Sequence, residues 1–146
     1  MTRIIDASLP IVIDTREQRP YRFPGAIRAT LKTGDYSILG FESDVCVERK
    51  SLTDLFGTVG RGRARFRREC ERMSAFVHAA IVIEANLGEV LVGPELSKMN
   101  PSAVANTLVA WSIRYGINVW LAGNRQQAKS ITYRILQHYH RLLTEG

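Results

Sequence analysis

Residues 45–54 read Val45-Cys46-Val47-Glu48-Arg49-Lys50-Ser51-Leu52-Thr53-Asp54. Val45 to Glu48 alternates with period two and predicts a strand. Ser51 then predicts a helix N-cap, with Asp54 at the capping-box position. In a strand, side chains two apart share a face, so Glu48 and Lys50 point together and Arg49 points away. Working outward, Thr33-Gly34-Asp35 is a turn, Tyr36 to Leu39 a strand, and Gly40 to Asp44 a hairpin connection. That hairpin brings Asp35 towards Glu48. Two carboxylates and the carbonyl of residue 49 make a hard-oxygen site, which suits Mg²⁺ or Mn²⁺ and not zinc.

A metal there would polarise a phosphodiester, and Lys50 beside it could orient or help deprotonate a water. This is the D…(D/E)-x-K logic of metal-dependent nucleases. The surrounding residues lengthen the pattern. Asp14-Thr15-Arg16-Glu17 follows a first strand at Ile11-Val12-Ile13, and Gly34-Asp35 and Glu48-Arg49-Lys50-Ser51-Leu52-Thr53-Asp54 follow in order as G-D-xₙ-E-R-K-x₃-D. The chain thereby resembles the nuclease domain of the XPF family of structure-specific DNA endonucleases, most closely over residues 10–85.

The resemblance implies a restriction-endonuclease-like α/β fold and metal-dependent cutting of DNA near branches, flaps or forks. By motif position Asp35 and Glu48 would be ligands of Mg²⁺ or Mn²⁺ and Lys50 the water-orienting base. Asp14 would assist the metal. Arg16, Glu17, Arg49 and Asp54 would support site geometry and phosphate contact. Plainer roles stand beside these. Asp54 also suits a helix cap, and Arg49 suits pairing with an acid on the far face of the sheet. Glu84 is expected to be a loop or cap residue. Family members usually carry a tandem helix-hairpin-helix module, and some a helicase part. Neither is expected within residues 1–146, which read as one nuclease domain.

The rest of the chain fits a mixed sheet flanked by helices. Ile27 to Leu31 predicts a second strand, so the first half reads as an antiparallel meander. The second half reads β-α-β-α: a strand at Ile81-Val82-Ile83, a helix from Asn100-Pro101 to Tyr115 stopped by Gly116, a strand at Ile117 to Leu121, and a last helix capped by Asn124. Between the halves, Arg61 to Val77 predicts a helix with Phe66, Cys70, Met73 and Val77 along one stripe. Arg61, Arg65, Arg68 and Arg72 lie along the other.

Gly60 to Arg68 holds five arginines and no acid. Bases at the positive end of a helix are locally unfavourable, which points to phosphate binding by Arg61, Arg63, Arg65 and Arg68. Composition agrees: net charge is +6, and sixteen of the twenty bases are arginine. Apolar residues at 45% and charged ones at 23% exclude the disordered class. No stretch approaches the ~20 apolar residues of a membrane span. Asp6 in the only early apolar stretch argues against a secretory leader. Two cysteines make no disulfide framework, and the three histidines suggest no zinc site. The expected location is the cytoplasm or nucleoid, or the nucleus in a eukaryote.

Two readings follow. One is an endonuclease; the other is a non-catalytic DNA-binding or scaffolding subunit on the same fold. A degenerate subunit should have lost acids or the lysine, and Asp14, Asp35, Glu48, Lys50 and Asp54 are all present. A Holliday-junction resolvase or restriction-type enzyme of the same superfamily is disfavoured by the E-R-K-x₃-D context. Surplus apolar residues in the second half, among them Ala103, Thr107, Ala110, Tyr133, Leu136, Tyr139 and Leu143, point to a homodimer, as does the resemblance. A separate DNA-targeting partner protein is a further expectation.

Overall fold

The computed structural model describes residues 9–145. The apolar run Ile11-Val12-Ile13 forms strand β1 (Ile11–Asp14), buried along its whole length. Strands β2 (Ile27–Ala29), β3 (Tyr36–Ile38), β4 (Val45–Lys50), β5 (His78–Ile83) and β6 (Asn118–Leu121) join it in one sheet of order β2-β1-β3-β4-β5-β6. The β1–β3 and β3–β4 pairs are antiparallel, and β4–β5–β6 run parallel. One expectation is corrected: β2 pairs with β1 in parallel, so the first half is not a pure meander. Residues 15–26 are long enough to carry the chain back to the start of β1, and the residues of a three-residue strand do not encode its direction.

The fold is α/β, with helices on both faces. Helices α1 (Leu52–Val59), α2 (Arg63–Met73), α3 (Leu87–Val92) and α4 (Pro101–Tyr115) cover one face. Helix α5 (Arg125–Glu145) alone covers the other. Strand alternation divides β4 between them: Val45 and Val47 enter the α5-side core, while Cys46 enters the α1/α2/α4-side core. Gly34 is required between β2 and β3, because its φ is +85° and a Cβ there would lie 2.7 Å from Cβ of Cys46.

Local signals set several boundaries. The Ser51 side chain accepts from the Asp54 amide at 3.1 Å and starts α1. Asn100 accepts from two amides, Pro101 opens α4, and left-handed Gly116 closes it. The Asn124 side chain accepts from the Gln127 amide at 2.8 Å at the start of α5. Helix α2 is shorter than its periodicity suggests, ending at Met73, so Val77 is 63% exposed and not part of the inner stripe. Helix α3 was not legible from periodicity. Its signal was the capping box of Asn86 and Glu89.

Helix α5 also changes the account of surplus apolar residues. Tyr133 and Leu136 are buried in this chain's own core, with Tyr139 packed against it. A single helix spanning a whole sheet face must present a wide apolar arc, so these residues are not an unsatisfied surface. Thr107 is likewise buried, while Ala103 and Ala110 are exposed. Exposed apolar side chains gather instead on α3, α4 and β6, including Leu91, Val109, Ile113 and Trp120, while Leu142 near the end of α5 is exposed by itself. No helix among the described residues is long and apolar enough to cross a membrane.

Candidate active site

The site forms where β1, β3 and β4 meet at one end of the sheet. The Asp14 amide donates to the Asp35 carbonyl, and the Asp35 amide to the Val47 carbonyl, at 2.8 and 2.9 Å. These bonds extend the antiparallel pairing one residue past β3 and place Asp35 beside Glu48. The Asp35 carboxylate accepts from the Arg49 amide at 2.8 Å. Lys50 and Glu48 lie on one face, Nζ 3.3 Å from Oε2. Lys50 Nζ also sits 5.2 Å from the centroid of the Phe66 ring on α2. Phe66 is a core residue that doubles as the wall behind the lysine.

A cleft of about 620 Å³ opens over this face, lined by Glu48, Lys50, Asp54, Arg65 and Glu69 among others. Glu69 was missed in the sequence, hidden beside the arginine run. It enters from α2, and its Oε1 is buried without a hydrogen-bond partner. Facing the same cleft, it helps to raise the Glu48 pKa. Three carboxylates therefore face one ammonium. Burial first, then Glu17 and Glu69, push the Asp35 carboxyl up to about 7, against the pull of the Arg49 amide and Lys50. Burial and the neighbouring Asp35 and Glu69 push Glu48 well above the carboxylate range. Burial acts to lower the Lys50 pKa, but Glu48 and Glu69 outweigh it and raise the pKa.

This donor set fits a hard divalent cation. Buried carboxylates with raised pKa values and an orphaned oxygen describe negative charge in need of a counter-ion. Among the described residues no group of three or more His, Cys, Asp or Glu side chains converges to cage a metal. Asp35, Glu48 and the Arg49 carbonyl would hold a partly hydrated ion, as suits Mg²⁺.

The other expected residues divide. Asp14 is buried, but both its oxygens are already engaged: Oδ2 by Arg16 Nε at 2.8 Å, and Oδ1 by the Leu31 amide at 2.9 Å. Burial acts to raise its pKa, but the Arg16 and Leu31 bonds overcome this and lower it. The Asp14 carboxylate, expected to assist the metal, also ties Arg16 after β1 to Leu31 after β2. Asp54 is exposed and lies between the first cleft and a second of about 440 Å³ on the α5 side. Glu17 and Arg49 are in that second cleft, with Arg49 Nε 3.9 Å from Glu17 and 3.2 Å from Glu84. Glu84 lies in the bend that follows β5, as a loop residue is expected to, and there it is also the ion-pair partner of Arg49 and Arg125.

The arginines separate as well. Arg61, Arg65 and Arg68 are exposed, with Arg65 on the wall of the first cleft. Arg63 braces α2 against α4, donating to Thr107 Oγ1 at 3.2 Å and lying 4.9 Å over the Trp111 ring.

The mixed sheet, its two helical layers and carboxylates at the end of a hairpin define a nuclease-fold α/β domain. Residues 13–135 match the ERCC4 domain, and the chain belongs to that family as an XPF-type nuclease domain. Two solved structures share its fold. XPF from Aeropyrum pernix is 18% identical at a TM-score of 0.69, covering 90% of this chain and 61% of that one. The structure described as XPF from Aeropyrum pernix in complex with DNA is 20% identical at a TM-score of 0.66, covering 94% and 66%. This chain thus spans about three fifths to two thirds of the length of those chains. No curated protein sequence matches it.

Proposed function

We propose that this domain is a Mg²⁺- or Mn²⁺-dependent DNA endonuclease acting near branches, flaps or forks. The observation that carries the reading is the partly buried Asp35–Glu48–Lys50 cluster, whose Glu48 and Lys50 line a cleft walled by Arg65. The match to an XPF structure in complex with DNA supports the choice of nucleic acid. A bound divalent cation would supply Lewis-acid stabilisation of charge on the phosphoryl oxygens and acidify a water. Asp35, Glu48 and the Arg49 carbonyl would hold it.

Lys50 contributes as a cation. Glu48 and Glu69 raise its pKa, and its place beside Glu48 sets the ammonium to orient the attacking water and a phosphoryl oxygen. Arg61, Arg65 and Arg68 hold the DNA backbone on the α2 side. The domain works as a homodimer through the apolar surface of α3, α4 and β6, and β6 offers an open sheet edge there. A second DNA-targeting protein would supply duplex grip where the dimer does not.

The test is cleavage of labelled duplex, single-stranded, flap, fork and four-way-junction DNA with Mg²⁺ or Mn²⁺, beside Glu48→Ala. Cutting of a branched substrate by wild type and not by the variant is the expected result. Tight binding with no cutting in either metal would favour the scaffolding subunit.

A further inference from the structure

We infer that Glu84, which lies outside the motif, is a positioning residue for the site, acting through the main chain of Arg49 from the opposite face of the sheet. The inference rests on the nuclease reading above.

The argument begins with the main chain of β4. The Glu84 amide donates to the Lys50 carbonyl, so even-numbered carbonyls of β4 face β5. The Asp35 amide donates to the Val47 carbonyl, so odd-numbered groups face β3. Strand β3 starts only at Tyr36, so the main chain at Arg49 faces past its end. The Arg49 amide is there taken by the Asp35 carboxylate. Its carbonyl faces the same way, beside Asp35. The backbone conformation of one residue, Arg49, therefore aims both the amide that holds the Asp35 carboxylate and the carbonyl donor of the site.

Arg49 is the penultimate residue of β4 and has no β3 ladder partner. Its side chain supplies the anchor. The guanidinium is 13% exposed and lies 5.7 Å over the Tyr21 ring. Burial penalises its charge, and Glu84 followed by Glu17 more than offsets that. Glu84 Oε2 is the hub: it accepts from the Tyr21 hydroxyl at 2.6 Å and lies 3.2 Å from Arg49 and 3.6 Å from Arg125. Arg125, in the first turn of α5, also donates to the carbonyls of Arg19 and Pro20. A single carboxylate thus ties β4 to β5, α5 and the loop after β1. Arg49 Nε has no aligned hydrogen-bond acceptor despite the 3.2 Å approach, so this contact depends on charge more than on geometry. Glu84→Gln removes the charge while retaining an acceptor for Tyr21.

The experiment is a double-mutant cycle of Glu84→Gln and Arg49→Gln, with kcat and KM on the best-cut DNA and amide spectra of the metal-free, ¹⁵N-labelled proteins. Glu84→Gln is expected to lower kcat on the order of tenfold, with KM changed less than about twofold, and to cost nothing further in the Arg49→Gln background. In the metal-free protein it should shift the Arg49 amide resonance and raise its hydrogen-exchange rate about tenfold, leaving amides of α4 unmoved. Additive losses in the cycle, or an unmoved Arg49 amide, would overturn the inference. Loss of protection throughout the sheet would also overturn it, by showing a merely structural role. If wild type cuts no DNA, the nuclease reading fails and the Arg49 amide alone decides the positioning role.

Discussion

The two faces of β4 end in opposite electrostatic states. On the α2 side, Glu48 and Lys50 meet Asp35 and Glu69, three acids against one base. On the α5 side, Glu17 and Glu84 meet Arg49 and Arg125, two against two. Both faces are partly buried, so dielectric alone does not separate them. The balanced face is locked by ion pairs and two tyrosine hydroxyls, Tyr21 to Glu84 and Tyr36 to Glu17. The unbalanced face holds like charges whose repulsion a bound cation would relieve. One strand thus carries rigid support on its odd residues and a charge deficit on its even ones.

The sharpest way to break this comparison is to empty the unbalanced face. Asp35→Ala or Glu48→Ala should abolish cleavage, a loss of roughly a thousandfold or more, since a Lewis-acid centre is worth several kcal/mol and about 1.4 kcal/mol is tenfold. Circular dichroism should show the fold intact. Lys50→Met should slow single-turnover cleavage by about a hundredfold and change DNA affinity far less.

Replacing Arg61, Arg65 and Arg68 by alanine comes next. DNA affinity should fall across all sequences, with the log–log salt slope reduced by about 0.9 for each phosphate that is no longer neutralised. An unchanged slope would return these arginines to a solvated surface.

The deficit itself can be measured without DNA. Asp35 has a folded pKa of about 7 against an ordinary 3.8, so between these values the native state binds the extra proton. Metal-free stability should therefore fall as pH rises from about 4 to 7, by up to about 1.4 kcal/mol per pH unit for each proton retained. Asp14 acts with the opposite sign, its lowered pKa costing stability only as pH falls below its ordinary range. Thermal melts from pH 4.5 to 8 should show the decline in wild type and a flatter profile in Glu69→Gln. Glu69→Gln should also be more stable than wild type without metal at pH 8, and gain less on adding Mn²⁺. A flat wild-type profile would contradict the charge deficit.

The smallest expected effect lies away from both faces. Ile113 is 78% exposed on α4, so Ile113→Glu should leave the fold intact and lower the solution mass from dimer to monomer. Leu136 is wholly buried, and a charge there would test the core and not pairing. A wild-type monomer at all micromolar concentrations, with unimpaired cleavage, would remove the dimer.

Much of this was written locally. Asn100-Pro101 and Gly116 bound α4 because cap chemistry is decided within a few residues. Glu48 and Lys50 share a face because strand alternation is fixed by backbone geometry. The α2 periodicity placed Phe66, Cys70 and Met73 in the core but ran past the helix end, because nothing local marks Ser74 as a stop. The direction of β2 was not legible, since a short strand reads alike in either sense.

By itself, then, the sequence determined the helices with caps, the alternating strands and the spacing that joins Asp35 to Glu48. Only the tertiary structure decided which distant charges complete each face. Glu69 reaches Glu48 by the packing of α2, and Glu84 meets Tyr21 across 63 positions of sequence. Arg125 reaches back 106 positions to Arg19. Periodicity and capping act over one or two turns, whereas these meetings depend on sheet order and register, which arise only when the whole core closes.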